Sequence, residues 1–213
     1  MRIVLFGAPG SGKGTQAQLL SEHLNIKRIS LGDLLREEVK NDTELGKKVR
    51  EYMEKGLLVS DDIVVSVIEK NIDDEGFIVD GFPRNINQAF LLEEILKKKN
   101  NELDVFIYLD VDENTIVERL SKRRVCKKCG ALYHLVNLPP KIDGRCDLCG
   151  GDLIQREDDR PQLIKKRWEV FEEESSKLIG FYSQRDKLIR IDARGKKEEV
   201  FNQIKEKLLC HKN

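Results

Sequence analysis

The sequence predicts an α/β protein, a parallel sheet covered by helices on both faces. Three observations carry this. Apolar runs of strand length recur at residues 3–6, 76–79, 105–109 and 188–191, with a shorter one at 28–29. Amphipathic helical patterns separate them. The first run passes through Gly7-Ala8-Pro9-Gly10-Ser11-Gly12-Lys13-Gly14-Thr15 into Gln16-Ala17-Gln18-Leu19-Leu20, which reads as strand, glycine-rich loop and helix.

The loop sets the chemistry. Consecutive backbone N–H groups there can wrap a phosphate chain, and the following helix aims its positive end at it. Glycines permit the tight turn and close approach. Lys13 adds a point charge on the β- and γ-phosphates. The general phosphate-loop pattern has Ser or Thr directly after the lysine as a magnesium ligand, whereas this chain has Gly14 there and Thr15 one later. Magnesium is therefore expected to be held through carboxylates and water. In parallel sheets ligands bind at the carboxyl ends of the strands, where this loop lies.

The next elements extend that edge. Residues 32–39 read as a helix carrying Asp33 and Arg36, and residues 44–55 as another, ended by Gly56. Leu57, Leu58 and Val59 follow, then Ser60-Asp61-Asp62 as a cap for a helix over 63–70. Residues 30–59 thus form a small helical insertion. Taken alone, Arg36 reads as part of a solvated helix face. Strand 77–79 runs into Asp80-Gly81-Phe82-Pro83-Arg84. A carboxylate at that strand end is placed to orient hydrated magnesium. Gly81 and Pro83 turn the chain sharply and present Arg84, and Asn85 and Gln88 open the next helix. After strand 105–109, a helix from about Glu113 carries Arg119, Arg123 and Arg124. Positions 119 and 123 are four apart and share a helix face. Guanidinium clusters match phosphoryl oxygens, although a basic helix end also offsets the helix dipole.

Next come Cys126-Lys127-Lys128-Cys129 and Cys146-Asp147-Leu148-Cys149. Two such knuckles supply four thiolates for a tetrahedral ion, with zinc the expected one. No position is left open, so the site reads as structural. It pins a loop-rich lobe over about 125–156, too short for its own core. His134 lies between the knuckles and is not needed as a ligand. Cys210 is left over, on a helix near the C-terminus. Pro161 suits the first turn of a long helix, read as 162–178, which carries Arg167 and Trp168. Trp168 reads as core packing. The last strand ends at Asp192-Ala193-Arg194-Gly195, and residues 197–209 close the chain as a helix.

Charge bounds the function. The 38 basic residues equal the 38 acidic ones in this 213-residue chain, which argues against extended nucleic-acid binding. The N-terminus enters a strand directly, without a signal-peptide pattern, and no run of about 18 apolar residues exists. The expected setting is the cytoplasm, with no membrane partner.

Together these motifs resemble the adenylate kinase family, in its bacterial zinc-lid form. The residues that carry the resemblance are Gly7 to Thr15 with Gln16, Gly32-Asp33 with Arg36, Asp80 to Arg84 with Gln88, Arg123-Arg124, the four cysteines, Arg156 with Asp158-Asp159, and Arg167. The match covers almost the whole chain. It implies a P-loop NTPase core with a five-stranded parallel sheet (1–29, 60–121 and 160–213), a helical NMP-binding insertion (30–59) and a small zinc-binding lid (122–159). It implies the reaction ATP + AMP ⇌ 2 ADP with magnesium, in a monomer.

By that resemblance Gly10, Ser11, Gly12, Lys13, Gly14 and Thr15 hold ATP phosphates. Arg119 and Arg123 approach ATP from the lid hinge, Leu132 and Tyr133 from inside the lid, and Gly195 through its backbone. Arg36 and Arg84 grip the AMP phosphate, beside the turn Gly81-Phe82-Pro83. Leu57, Leu58 and Val59 line the adenine pocket, and Gln88 hydrogen-bonds the base. Arg156 and Arg167 span the transferring group, with Lys13, Arg84, Arg119 and Arg123 supplying further charge. Asp80 and Asp33 hold magnesium through water. The chain departs from the family at Leu31, where Thr is common after Ser30. The AMP contact of that hydroxyl is lost or passes to Ser30. Leu31 keeps a UMP or CMP kinase in view as an alternative. A zinc-ribbon nucleic-acid binder, drawing on Lys122, Arg123, Arg124, Lys127 and Lys128, is the alternative from another class. Zero net charge and the lack of clustered aromatics argue against it.

Overall fold

The computed structural model describes residues 1–73 and 75–211. The chain runs β1 (Arg2–Gly7), α1 (Lys13–Leu24), β2 (Lys27–Ser30), α2 (Leu31–Lys40), α3 (Glu44–Glu54), α4 (Asp61–Asn71), β3 (Phe77–Asp80), α5 (Ile86–Lys98), β4 (Val105–Asp110), α6 (Glu113–Ser121), β5 (Arg123–Cys126), β6 (Leu132–His134), β7 (Leu153–Ile154), a 3-10 turn (Glu157–Asp159), α7 (Pro161–Ser183), β8 (Leu188–Asp192) and α8 (Lys197–His211).

Five strands pair in the order β2-β3-β1-β4-β8, all parallel, as the apolar runs predict. Strand alternation splits the core in two. Val4 and Phe6 of β1 point to one face, with Val79, Phe106 and Tyr108, against Leu35, Ile68, Leu92 and Tyr182 from α2, α4, α5 and α7. Ile3 and Leu5 point to the other, with Ile78, Ile107 and Leu109, against Leu20, Ile116, Leu120 and Ile204 from α1, α6 and α8. Both faces are therefore dry, and each fully buried Leu or Ile contributes about 2 kcal/mol to stability. The Phe106 and Tyr182 rings stack at 4.1 Å between centroids. Among the described residues no helix is long and apolar enough to cross a membrane.

The topology positions the site. Central β1 is flanked by β3 on one side and β4 on the other. Chain direction diverges there, and a crevice opens at the carboxyl ends of the strands.

Several boundaries differ from the sequence reading. α6 stops at Ser121, so Arg123 and Arg124 belong to β5 and share no helix face with Arg119. The reason is strand pairing: Arg123, Arg124 and Val125 lie opposite His134, Tyr133 and Leu132. The long helix α7 continues five residues past Leu178, through Gly180. Leu178, Phe181 and Tyr182 are buried beneath it, and that packing outweighs the roughly 1 kcal/mol helix penalty of a glycine. Trp168 is half-buried and packs at the margin of the second cluster.

The cysteine-bearing lobe is a three-stranded antiparallel sheet, ordered β6-β5-β7. Its two knuckles have matching turns. Gly130 N–H donates to Cys126 O at 3.0 Å, and Gly150 N–H to Cys146 O at 2.9 Å. Both glycines have φ near 70°, where a side chain would be strained.

Candidate active site

The glycine-rich loop joins β1 to α1. Gly12 caps the helix with φ 97°. Gly10 has φ 85°, and a Cβ there would lie 2.8 Å from Leu120 Cγ, so nothing larger fits without displacing α6. The Ser11 Oγ is buried in the loop and has no hydrogen-bond partner among the described residues. Lys13 Nζ donates to Gly7 O at 2.7 Å and Ala8 O at 2.9 Å. Among the described residues no carboxylate pairs with it. Burial lowers its pKa from 10.5 to about 8, with Asp80 pulling the other way.

The turn after β3 is braced from inside. Arg84 Nε donates to Gly81 O at 2.8 Å, and Arg84 N–H donates to Gln88 Oε1 at 2.8 Å. Gln88 Nε2 in turn donates to Asp61 Oδ1 at 2.8 Å, as does Asn85 Nδ2 at 3.1 Å. Gln88 is 1% exposed, so its amide is committed to holding the Arg84 turn. Among the described residues Arg84 has no ion-pair partner. Burial and then the neighbouring Arg167 lower its pKa to about 10. Two half-buried cations without an ion pair among the described residues face one cleft, which marks an anion site.

Lys13, Arg36, Leu57, Leu58, Val59, Gly81, Pro83, Arg84, Asp158 and Arg167 line that cleft. The side chains of Leu31 and Phe82 do not. Both are fully buried in the first core cluster, Leu31 because it opens α2 on the helix's inner face. Ser30 lies close enough to Asp33 to help hold its carboxyl below the usual range, after Arg36.

Asp33 is a junction. Arg36 Nη2 and Arg28 Nη2 lie 2.5 Å and 3.1 Å from its carboxylate, and Arg156 Nη2, across from the cysteine lobe, lies 3.9 Å away. Burial and then Arg36 lower the Arg156 pKa to about 10. At the lobe's base Arg123 and Arg167 share Asp159, and Arg167 also bonds Asp158 at 3.0 Å. On the other flank Arg119 Nη2 donates to Ala193 O at 2.9 Å, Arg194 O at 3.0 Å and Gly195 O at 3.4 Å. The loop, Arg119 and Gly195 are thus brought together.

Neighbours on β6 diverge. Leu132 Cδ1 lies 4.0 Å from where a Cβ on Gly14 would stand, so this side chain leans over the loop. Tyr133 points the opposite way and is buried in the lobe. Its hydroxyl donates to Cys146 Sγ at 3.4 Å and accepts from Asp147 N–H at 2.7 Å. That first bond holds the Cys146 thiol well below its ordinary pKa.

The four sulfur atoms of Cys126, Cys129, Cys146 and Cys149 lie within 4.8 Å of one another, with Cys126–Cys149 at 3.5 Å and Cys129–Cys146 at 3.6 Å. Tetrahedral Zn–S bonds of about 2.3 Å require sulfurs about 3.8 Å apart, so the four thiols fit a structural zinc. His134 stays outside, its Nδ1 accepting from Val136 and Asn137 N–H.

Sequence reasoning missed Arg28, which reaches from β2 to Asp33 and lies 3.5 Å from Asp80. It also read Asp61 only as a cap, and not as the anchor of Gln88. Arg28 was legible as a cation on a strand that ends beside the loop. The role of Asp61 needed the tertiary fold.

A family model described as adenylate kinase matches residues 5–187. The chain is 49% identical over 212 residues to the adenylate kinase of Caldicellulosiruptor saccharolyticus, covering 98% of this chain and 97% of the relative. It is 44% identical over 208 residues to that of Thermosipho africanus, covering 96% and 97%. With that of Archaeoglobus fulgidus the identity is 43% over 208 residues, covering 96% of each. The likeness runs from the phosphate loop to the last helix, and the chain belongs to the adenylate kinase family.

Proposed function

We propose that this chain catalyses ATP + AMP ⇌ 2 ADP, with the AMP phosphate attacking the ATP γ-phosphate in line. One observation carries the placement of the two nucleotides: Lys13 and Arg84 are both half-buried, both lack a carboxylate ion pair among the described residues, and both line one cleft. Phosphoryl transfer needs alignment and charge neutralisation more than covalent chemistry. The AMP phosphate is ionised at pH 7, so no general base is required.

Gly10 to Thr15 hold the ATP phosphates, Leu132 covers them, and Arg119 and Gly195 flank the ATP base. Tyr133 serves this site through its backbone, since its side chain belongs to the thiol knuckle. Arg36 and Arg84 take the AMP phosphate, and Leu57 to Val59 line its base. Gln88 acts first by fixing Arg84, and Ser30 stands beside Asp33. Arg123, Arg156 and Arg167 surround the transferring group.

Bound with ATP, magnesium neutralises charge on two phosphates. Asp80, only 8% exposed and with Oδ2 3.5 Å from where a Gly14 Cβ would stand, offers acceptors for its waters, with Asp33 beside it. Residues 30–59 close over the monophosphate and 122–159 over ATP, on a core of 1–29, 60–121 and 160–213. Closure excludes water, the competing acceptor. The protein works as a cytoplasmic monomer. The test is a parallel assay of ATP with AMP, CMP, UMP and GMP. AMP is expected to be preferred, and preference for a pyrimidine monophosphate overturns the assignment.

A further inference from the structure

Arg28 has no part in the mechanism above, yet it stands where magnesium's waters need acceptors. It lies on β2, two residues before the strand ends at Ser30, and Ser30 pairs in register with Asp80. Its Nη2 is 3.1 Å from Asp33 Oδ2 and 3.5 Å from Asp80 Oδ2. The same nitrogen is 3.4 Å from where a Cβ on Gly14 would stand. One guanidinium nitrogen therefore fills the space between the first turn of α1 and both carboxylates. The Arg28 Nε is buried and has no partner among the described residues, so they do not fully satisfy the side chain where it rests.

Magnesium holds its waters at about 2.1 Å in an octahedron and seldom gives them up, so it reaches carboxylates through water. Those waters need acceptors on Asp80 and Asp33, where Arg28 already hydrogen-bonds Asp33 Oδ2 and stands 3.5 Å from Asp80 Oδ2. Two cations sharing one pair of carboxylates also repel each other in a site of reduced dielectric.

We infer that Arg28 is a positioning residue for the metal, an internal counter-cation that holds Asp33 and Asp80 until hydrated magnesium displaces it. Arg28 neutralises the two carboxylates and raises the divalent-ion concentration needed to load the site. This rests on the reading that Asp80 orients the metal's waters.

The test measures metal binding without turnover. Manganese(II), as a paramagnetic stand-in, is titrated into the full chain saturated with ATP and lacking AMP, and free ion is read by electron paramagnetic resonance. Arg28→Gln, and Arg28→Met as a second neutral side chain of similar length, are expected to tighten manganese binding by about fivefold. Arg28→Lys keeps the charge and is expected to stay within about twofold of the native chain. A merely structural role for Arg28 does not tighten metal binding. Unchanged or weaker binding in both neutral variants overturns the inference. Asp80→Asn separates this from failure of the underlying reading. Weaker binding in Asp80→Asn with no tightening in the Arg28 variants sinks the Arg28 role alone. Unchanged binding in Asp80→Asn removes the reading, and the inference with it.

Discussion

Arg123 and Asp159 close the base of the cysteine-bearing lobe with a two-bond pair: Arg123 Nε and Nη2 donate to the two carboxylate oxygens of a fully buried Asp159. The residues are 36 apart in sequence, one at the chain's entry to the lobe and one at its exit. The same carboxylate lies 3.5 Å from Arg167 on α7. Replacing Asp159 by Asn leaves two guanidinium groups without their shared charge. Breaking a buried pair from one side costs about 3 kcal/mol. Chemical denaturation of Asp159→Asn should show that loss, together with reduced turnover. Unaltered stability would mean that solvent already screens the pair.

Arg84 has the opposite profile. It is half-buried, its guanidinium donates to the Gly81 carbonyl through Nε, and it has no ion-pair partner among the described residues. Removing it deletes a charge that Arg167 and Arg36 repel and that Asp80 and Asp158 only partly offset. Arg84→Ala should lower turnover by about a thousandfold, the low end of what a transition-state arginine supplies. Its unfolding free energy should stay within about 1 kcal/mol of the native value. Near-normal turnover in this variant removes Arg84 from the catalytic group.

Lys13 gives a pH signature. Burial first lowers its pKa from 10.5 to about 8 in the ligand-free protein. Below about pH 8 the folded and unfolded chains both hold the proton. From there to 10.5 only the unfolded chain holds it, so this group's contribution makes stability rise with pH across that window. A bound polyphosphate favours the charged amine again. Magnesium-free ATP binding at pH 8.5, followed by calorimetry in buffers of different ionisation enthalpy, should show proton uptake that Lys13→Met abolishes. Equal enthalpies in all buffers refute the assignment.

The four-thiol knuckle serves the lobe and not the chemistry, because the four cysteines leave no open coordination position. Chelation should lower the melting temperature while activity at moderate temperature largely persists. Calorimetric scans and a coupled assay on the same chelated sample check both parts. Complete loss of transfer with the lobe still folded would give the metal a catalytic part.

The sheet was legible because fully buried parallel strands leave continuous apolar runs, and the phosphate loop because its glycines and lysine occur in a fixed strand–helix context. Arg123 was misplaced for a local reason. The i, i+4 spacing from Arg119 fits a helix, but pairing with residues 132–134 draws this segment into β5. α7 ran past Gly180 because tertiary burial of Phe181 and Tyr182 overrides propensity. Arg84 was legible from its turn, Arg36 and Arg167 entered through the family resemblance, and all three line the cleft. Their carboxylate and amide partners were harder to see. Asp61 supports Gln88 from 27 residues away, and no periodicity encodes that distance.

The alternation along β6 joins the thiol knuckle to the phosphate loop. Tyr133 is fixed against Cys146, and its immediate neighbour Leu132 leans over Gly14 on the opposite face. The order of the lobe and the cover over the loop are thus set by neighbours on one three-residue strand.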